Sequence, residues 1–463
     1  MRRLAWRVCL GVLLCASGCS RSGWELGGRR LGSPPTAAGR AEASSIGVAG
    51  AAREPVNLDL VCRETGEVDA IDKLDLLLVV DDSNSMREEQ EALRRELPAL
   101  VRTVASGVRR DGSTFPPARD LHLAVVSTDL GVPGVEGVNG CEGPGDDGRM
   151  ANVPDATLPG CSREPFQAPF LSYQVGDAPP DDIAHELGCI ASLGTDGCGY
   201  EQQLEAALKA LWPAVDIDPE TGSQWVDPES GVPGNRVTFL GDRTGAGRTG
   251  HGDGENAGFL RKDPAEGISL LAVLLVTDED DCSSSTTDHL VPRRNLPVGS
   301  PYEGQGQNLR CLFNPDNLYT LDRYVEGFQR LRPGYGELVV FAAIVGVPED
   351  LVAPEVLADV DFSDADSREA FYAAILDDPR METRVDPETQ ADGEVDSDNL
   401  VPSCGGDGAS GGVAYPPRRI VELARRFGQN GIVQSICQES FELALGAITQ
   451  VISEGLDRYC TPR

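Results

Sequence analysis

Histidine is nearly missing from this chain. Four in 463 residues leave little for general acid–base chemistry, and no nucleophile stands in an arrangement with a base and an acid, so the chain reads as a non-enzyme. Positive charge is the second deficit. With 40 basic against 74 acidic residues the formal charge is −34, which argues against nucleic acid and anionic lipid surfaces as partners and makes cations the natural counterpart. Aromatic residues are 5% of the chain, while 53 glycines and 32 prolines point to much loop. No two cysteines have C-x-x-C spacing, which leaves zinc and thioredoxin-like chemistry without support.

What is present begins with Arg2, Arg3 and Arg7, the apolar run Val8 to Ala16, and Ser17-Gly18-Cys19. The run is too short to span a bilayer as a helix and reads as an export signal over residues 1–18. Small residues before Cys19 resemble a bacterial lipobox, although Ala16 stands where leucine is usual. That resemblance implies a lipid on Cys19 as the only membrane attachment. Ser20 after it resembles an outer-membrane address. Residues 19–60 are rich in Gly, Ala, Ser, Pro and Arg without apolar periodicity, the composition of a flexible tether before a domain at 61–463.

Of the 13 cysteines, Cys9 and Cys15 fall in the signal and Cys19 takes the lipid. Ten remain: Cys62, Cys141, Cys161, Cys189, Cys198, Cys282, Cys311, Cys404, Cys437 and Cys460. An even number in an exported chain predicts five disulfides. Sequence proximity suggests Cys141 with Cys161, Cys189 with Cys198 and Cys282 with Cys311, but connectivity is not derivable.

Hydrophobic patterning predicts strands at 75–81, 121–127, 268–277, 338–345 and 431–436, and helices near 87–106, 181–192, 200–212, 318–331, 417–428 and 438–456. Strands alternating with helices make an α/β chain, with a doubly wound, mostly parallel sheet and helices on both faces. Four insertions, near 131–180, 213–267, 282–317 and 348–416, account for its length. Three of them follow a strand, so they emerge on the carboxyl edge of the sheet, where specificity usually resides.

The most informative run is LDLLLVVDDSNSM, residues 74–86. An apolar strand ends in Asp81, Ser83 and Ser85, whose alternate spacing projects three oxygen donors to one side of an extended chain. Leu193-Gly194-Thr195 precedes a helical pattern, and ISLLAVLLVTD ends a second apolar strand at Asp278. Taken together, these segments resemble a von Willebrand factor A domain over roughly residues 68–460. In that family Asp-x-Ser-x-Ser, a mid-domain threonine and a later aspartate form a metal-dependent adhesion site. The resemblance implies a Rossmann-like sheet and a site of Asp81, Ser83, Ser85, Thr195 and Asp278. Its ion would be Mg2+, or Ca2+, with an open position for a carboxylate from a protein or peptide ligand. This chain departs from the family at TDEDD, where Glu279 replaces a common glycine, and at Asn84. Asp82, Glu279 and Asp280 then stand around the ligands, and the extra acids favour calcium or repel an acidic ligand.

The other motifs are weaker. Gly245, Gly247 and Gly250 match G-x-G-x-x-G without a following helix, and His185-Glu186 lacks the second histidine of a zinc protease. Asp386, Asp392, Asp396 and Asp398 miss the EF-hand spacing. Two functions compete with ligand binding: an envelope scaffold whose metal stabilises a loop, and a metal-dependent hydrolase using TDEDD.

Overall fold

A computed structural model describes residues 71–458 except 139, 178, 219–220, 242–246, 263–268, 333, 391–394, 396–397 and 406–411. All of them belong to one compact unit. The export signal, Cys19, the tether, Cys62 and Cys460 lie outside the described residues, as do Gly245, Asp392 and Asp396. No helix among the described residues is long and apolar enough to cross a membrane.

Six strands form one open sheet. They are β1 (Lys73–Val80), β2 (Asp120–Ser127), β3 (Leu171–Gln174), β4 (Leu270–Val276), β5 (Val339–Val345) and β6 (Gly431–Ser435), in spatial order β3-β2-β1-β4-β5-β6. All neighbours are parallel except β3 against β2. Every residue of β4 and β5 is buried, and so are seven of the eight in β1, as parallel strands covered on both faces must be. The edge strand β3, LSYQ, instead alternates: Leu171 and Tyr173 face in, Ser172 and Gln174 face out. Four residues inside a predicted insertion were too short a run to be read as a strand.

Alternation along β1 divides the core. Leu74, Leu76, Leu78 and Val80 pack on α1 (Arg87–Ser106), α2 (Pro180–Ala191) and α7 (Glu442–Arg458). Leu77 and Val79 face α3 (Gln203–Leu211), α4 (Leu321–Arg330), α5 (Ala365–Leu376) and α6 (Arg418–Arg426). Helix α5 falls in an insertion where no helix was predicted. Its start is nonetheless marked, since the Asp364 carboxylate accepts from Ser367 N at 2.8 Å, and Phe371 and Ile375 lie one turn apart on its buried side.

Four disulfides join the described cysteines: Cys141–Cys198, Cys161–Cys189, Cys282–Cys311 and Cys404–Cys437. Of the three pairs suggested by proximity, only Cys282–Cys311 forms, while Cys404–Cys437 also joins two consecutive cysteines. Cys161 bonds Cys189 because its segment runs along α2, where Asp155 N donates to Cys189 O at 3.0 Å. Cys141 bonds Cys198 because the 131–141 loop lies against the 196–198 backbone, so close that a Cβ on Gly140 would sit 2.9 Å from Gly197 O.

Candidate metal centre

Strand order reverses between β1 and β4. Open α/β sheets bind ligands at such a switch point, beyond the carboxyl ends of the strands, and here those ends carry Asp81 and Asp278. Asp81 is fully buried and fixed from both sides. Ser83 N donates to its Oδ1 at 2.8 Å and Thr277 Oγ1 to its Oδ2 at 2.6 Å, while its own N–H extends the ladder to Val276 O at 3.0 Å. Ser83 Oγ lies 3.2 Å from Ser85 Oγ, and the Ser85 side chain hydrogen-bonds the Asp278 carboxylate. Asp81, Ser83, Ser85 and Asp278 therefore form one hydrogen-bonded constellation.

Thr195 makes no bond to that group; its loop is clamped beside it. Gln90 Nε2 donates to Asp81 O and to Gly194 O, both at 2.8 Å, and Gly194 N returns a bond to Gln90 Oε1 at 3.2 Å. On the other side of Thr195, Gly197 N donates to Asp82 O at 2.9 Å. Gln90, Thr277 and Glu201 were not singled out in the sequence. Gln90 reads as a helix-surface residue in REEQEALRRE but is buried.

The acids of TDEDD part company. Asp278 and Glu279 face the site, whereas Asp280 accepts from Arg419 N at the start of α6 at 3.0 Å. Asp281 caps α3 through Leu204 N at 3.1 Å and pairs with Arg419. Asp280 thus starts a helix, although burial still lifts it to about 6. Buried Glu201 takes its place behind Asp278, its side chain bonded to that of Glu279.

This crowding shifts every carboxyl in the group upward. Burial, then the charges of Asp81 and Glu279, push Asp278 to about 8. Burial and Asp81 push Glu279 to about 7, and burial holds Asp81 and Glu201 above the usual range as well. Asp82, lifted to about 8 by burial and by Asp129, belongs to a neighbouring group. No arginine or lysine among the described residues pairs with Asp81, Asp278, Glu279 or Glu201; Arg419 and Arg323 are taken by Asp281 and Glu205. Asp278 Oδ1 is buried with no hydrogen-bond partner. An acid set of this kind, with hydroxyls beside it, offers only hard oxygen donors, the donor type of magnesium and calcium.

The insertions close around the edge. Tyr415 N donates to Asp278 O at 2.8 Å, and Gly412 approaches Glu89 so closely that a Cβ would meet its Oε1 at 2.1 Å. A cleft of about 720 Å³ lined by Ser127, Asp146, Asn152, Asp155 and Gly194 opens beside the Thr195 loop. Two Cys-His-Cys groups, Cys161-His185-Cys189 and Cys282-His289-Cys311, have their sulfurs in disulfides and so lack the thiolates a soft metal needs. Searches of protein-family models, curated proteins and solved structures find no match to the chain.

Proposed function

We propose that this chain carries a von Willebrand factor A-type domain that binds a protein or peptide through a divalent ion held by Asp81, Ser83, Ser85, Thr195 and Asp278. The observation that supports it most is Asp278 Oδ1, a buried carboxylate oxygen without a partner, beside Asp81, Glu279 and Glu201, none of which pairs with a base among the described residues, at the switch point of the sheet. A cation there would offset a repulsion that the protein itself leaves in place. Thr277 and Ser83 N orient Asp81, Ser85 orients Asp278, and Gln90 holds the Thr195 loop, so the donors are set before an ion arrives. When bound, the ion supplies positive charge to a carboxylate of the partner. Glu201 and Glu279 add negative charge behind the ligands, which favours calcium, the ion that tolerates more carboxylates and more ligands. The disulfide-tied loops are then the walls that choose the partner. Lipidation of Cys19 would place the domain on the outer membrane, and Cys19→Ser should move the chain out of the membrane fraction.

Calorimetry of the metal-free chain with Mg2+ and Ca2+, beside Asp81→Asn/Asp278→Asn, tests the centre. The wild type should bind, the double variant should not, and circular dichroism should match. Capture from outer-membrane and extracellular fractions should be lost with EDTA and in the variant. If the variant binds ion and partner as the wild type does, the reading fails and a scaffold role takes its place.

A further inference from the structure

One strand away from the Asp81 constellation, a second group of acids lacks counter-charge. The register pairs Val80 with Ser127, so the exits of β1 and β2 run side by side at the roughly 4.8 Å spacing of sheet neighbours, and carry Asp82 and Asp129 out together. Asp81 turns toward β4 through Thr277. Asp82 packs instead against the 197–198 backbone, where a Cβ on Gly197 would sit 2.3 Å from its carboxyl carbon. Asp129 meets the same segment, since its carboxylate accepts the backbone N–H of Cys198 as well as Gly131 N at 2.7 Å. Asp146 folds back onto the pair. Its N–H donates to Asp129 O at 3.0 Å and its Oδ2 accepts from Ser127 Oγ at 2.7 Å.

Two features set this group apart from a solvated acidic loop. Asp82 is only 7% exposed, and its Oδ1 is buried with no hydrogen-bond partner. The backbone also approaches without side chains: a Cβ on Gly145 would lie 2.1 Å from Asp129 Oδ1. No lysine or arginine among the described residues pairs with Asp82, Asp129 or Asp146; Arg149 goes to Asp147 and Glu255.

We propose that Asp82, Asp129 and Asp146 form a second cation site, distinct from the Asp81–Asp278 centre, that takes calcium. Three carboxylates amid close backbone suit calcium, which accepts six to eight oxygens in flexible geometry, better than magnesium, which keeps its waters and demands an octahedron. The ion would tie the 131–150 loop and the 196–198 segment, already joined by Cys141–Cys198, to the exit of β1. It would therefore hold the loop that carries Thr195. This inference does not rest on the adhesion reading.

The test is calcium stoichiometry on the full, disulfide-intact chain after EDTA stripping, by calorimetry and by equilibrium dialysis with atomic absorption. The wild type should bind two ions. Asp129→Asn/Asp146→Asn and Asp278→Asn should each bind one, and the combined variant none. If Asp129→Asn/Asp146→Asn misfolds, Asp82→Asn replaces an oxygen without a partner and should weaken one of the two ions at least tenfold. A single ion removed by Asp278→Asn alone, or unchanged stoichiometry in the folded Asp129→Asn/Asp146→Asn chain with unchanged affinity in Asp82→Asn, would overturn the proposal. A single ion removed by Asp129→Asn/Asp146→Asn but not by Asp278→Asn would uphold it while sinking the adhesion site.

Discussion

Strand β1 buries an aspartate near each end, and the two live in opposite electrostatic worlds. Asp75 and Asp81 are both fully buried. Around Asp75 the chain has gathered its own cations. Arg261 Nε and backbone N donate to the Asp75 carboxylate at 2.7 and 2.9 Å, Arg332 reaches it at 3.3 Å, and the Ser269 hydroxyl adds another bond. Around Asp81 it has gathered acids: Asp278, Glu279 and Glu201. A buried charge needs a partner, and the same protein supplies one at the amino end of the strand and withholds it at the carboxyl end. The first end is finished architecture. The second keeps its acids without a basic partner among the described residues.

The sharpest way to break this contrast is to remove each aspartate. Asp75→Ala leaves Arg332 buried without its carboxylate and Arg261 with Asp120 alone, and should cost about 3–5 kcal/mol in denaturant unfolding. Asp81→Asn, measured in EDTA, should cost far less or even stabilise, because it relieves repulsion while the amide oxygen still accepts from Ser83 N. Equal losses at the two ends would mean that the acid cluster is neutralised internally after all.

Next in size is the covalent frame of the carboxyl edge. Cys141→Ser/Cys198→Ser opens a loop of sequence separation 57 and should lower stability by about 2–4 kcal/mol. It should also weaken calcium binding, since the 131–150 loop and the 193–201 loop would no longer be held together. Cys161→Ser/Cys189→Ser should lower stability without that second effect, because it ties a surface segment to α2. Similar calcium affinity in both pairs would detach the disulfide from the site.

Legibility follows the same division. The parallel strands and the helices beside them were readable because fully buried strands are continuous apolar runs, LDLLLVV and LLAVLLV, and the site aspartates sit where those runs stop. What depended on through-space neighbours was not readable. Proximity in sequence mispaired Cys141 and Cys189, whose partners are set by how the 131–180 insertion folds back. TDEDD looked like one acidic string, yet the demands of a buried acid cluster and of two helix starts divide it after Glu279. Glu201 and Gln90 carried no motif at all. Their only signal is a polar side chain on the buried side of its segment, which sequence periodicity hints at and packing decides.

Protonation should separate the two ends further. Asp278 at about 8 and Glu279 at about 7 lie above the roughly 4 of an unfolded carboxyl, so between about pH 4 and 8 the native chain holds more protons than the unfolded one. Stability of the metal-free protein should then fall as pH rises through that window, by several degrees in melting temperature. Ion affinity should rise over the same range, because ligands must shed protons to bind. Saturating calcium should flatten the decline, and Asp278→Asn should remove most of it. A metal-free melting temperature that climbs from pH 5 to 8 would contradict the uncompensated cluster.

The smallest effect tests the clamp rather than the charge. Gln90 is neutral and buried, and joins the Asp81 carbonyl to both polar groups of the Gly194 peptide. It is a positioning residue, since it touches none of the proposed ligand oxygens. Gln90→Ala should therefore leave the number of bound ions unchanged and reduce affinity about 10–100-fold, the usual cost of losing support behind a ligand. Gln90→Glu keeps the length and one acceptor but loses the amide that bridges two carbonyls, and adds an acid to a crowded group; it should lower the metal-free melting temperature more than Gln90→Ala at pH 8 and no more at pH 5. Calorimetry of the three chains reads the first expectation and thermal melts at the two pH values read the second. Wild-type affinity in Gln90→Ala would show that the Thr195 loop holds its place by Gly197 and the disulfide alone, and would remove Thr195 from the set of groups whose position the site controls.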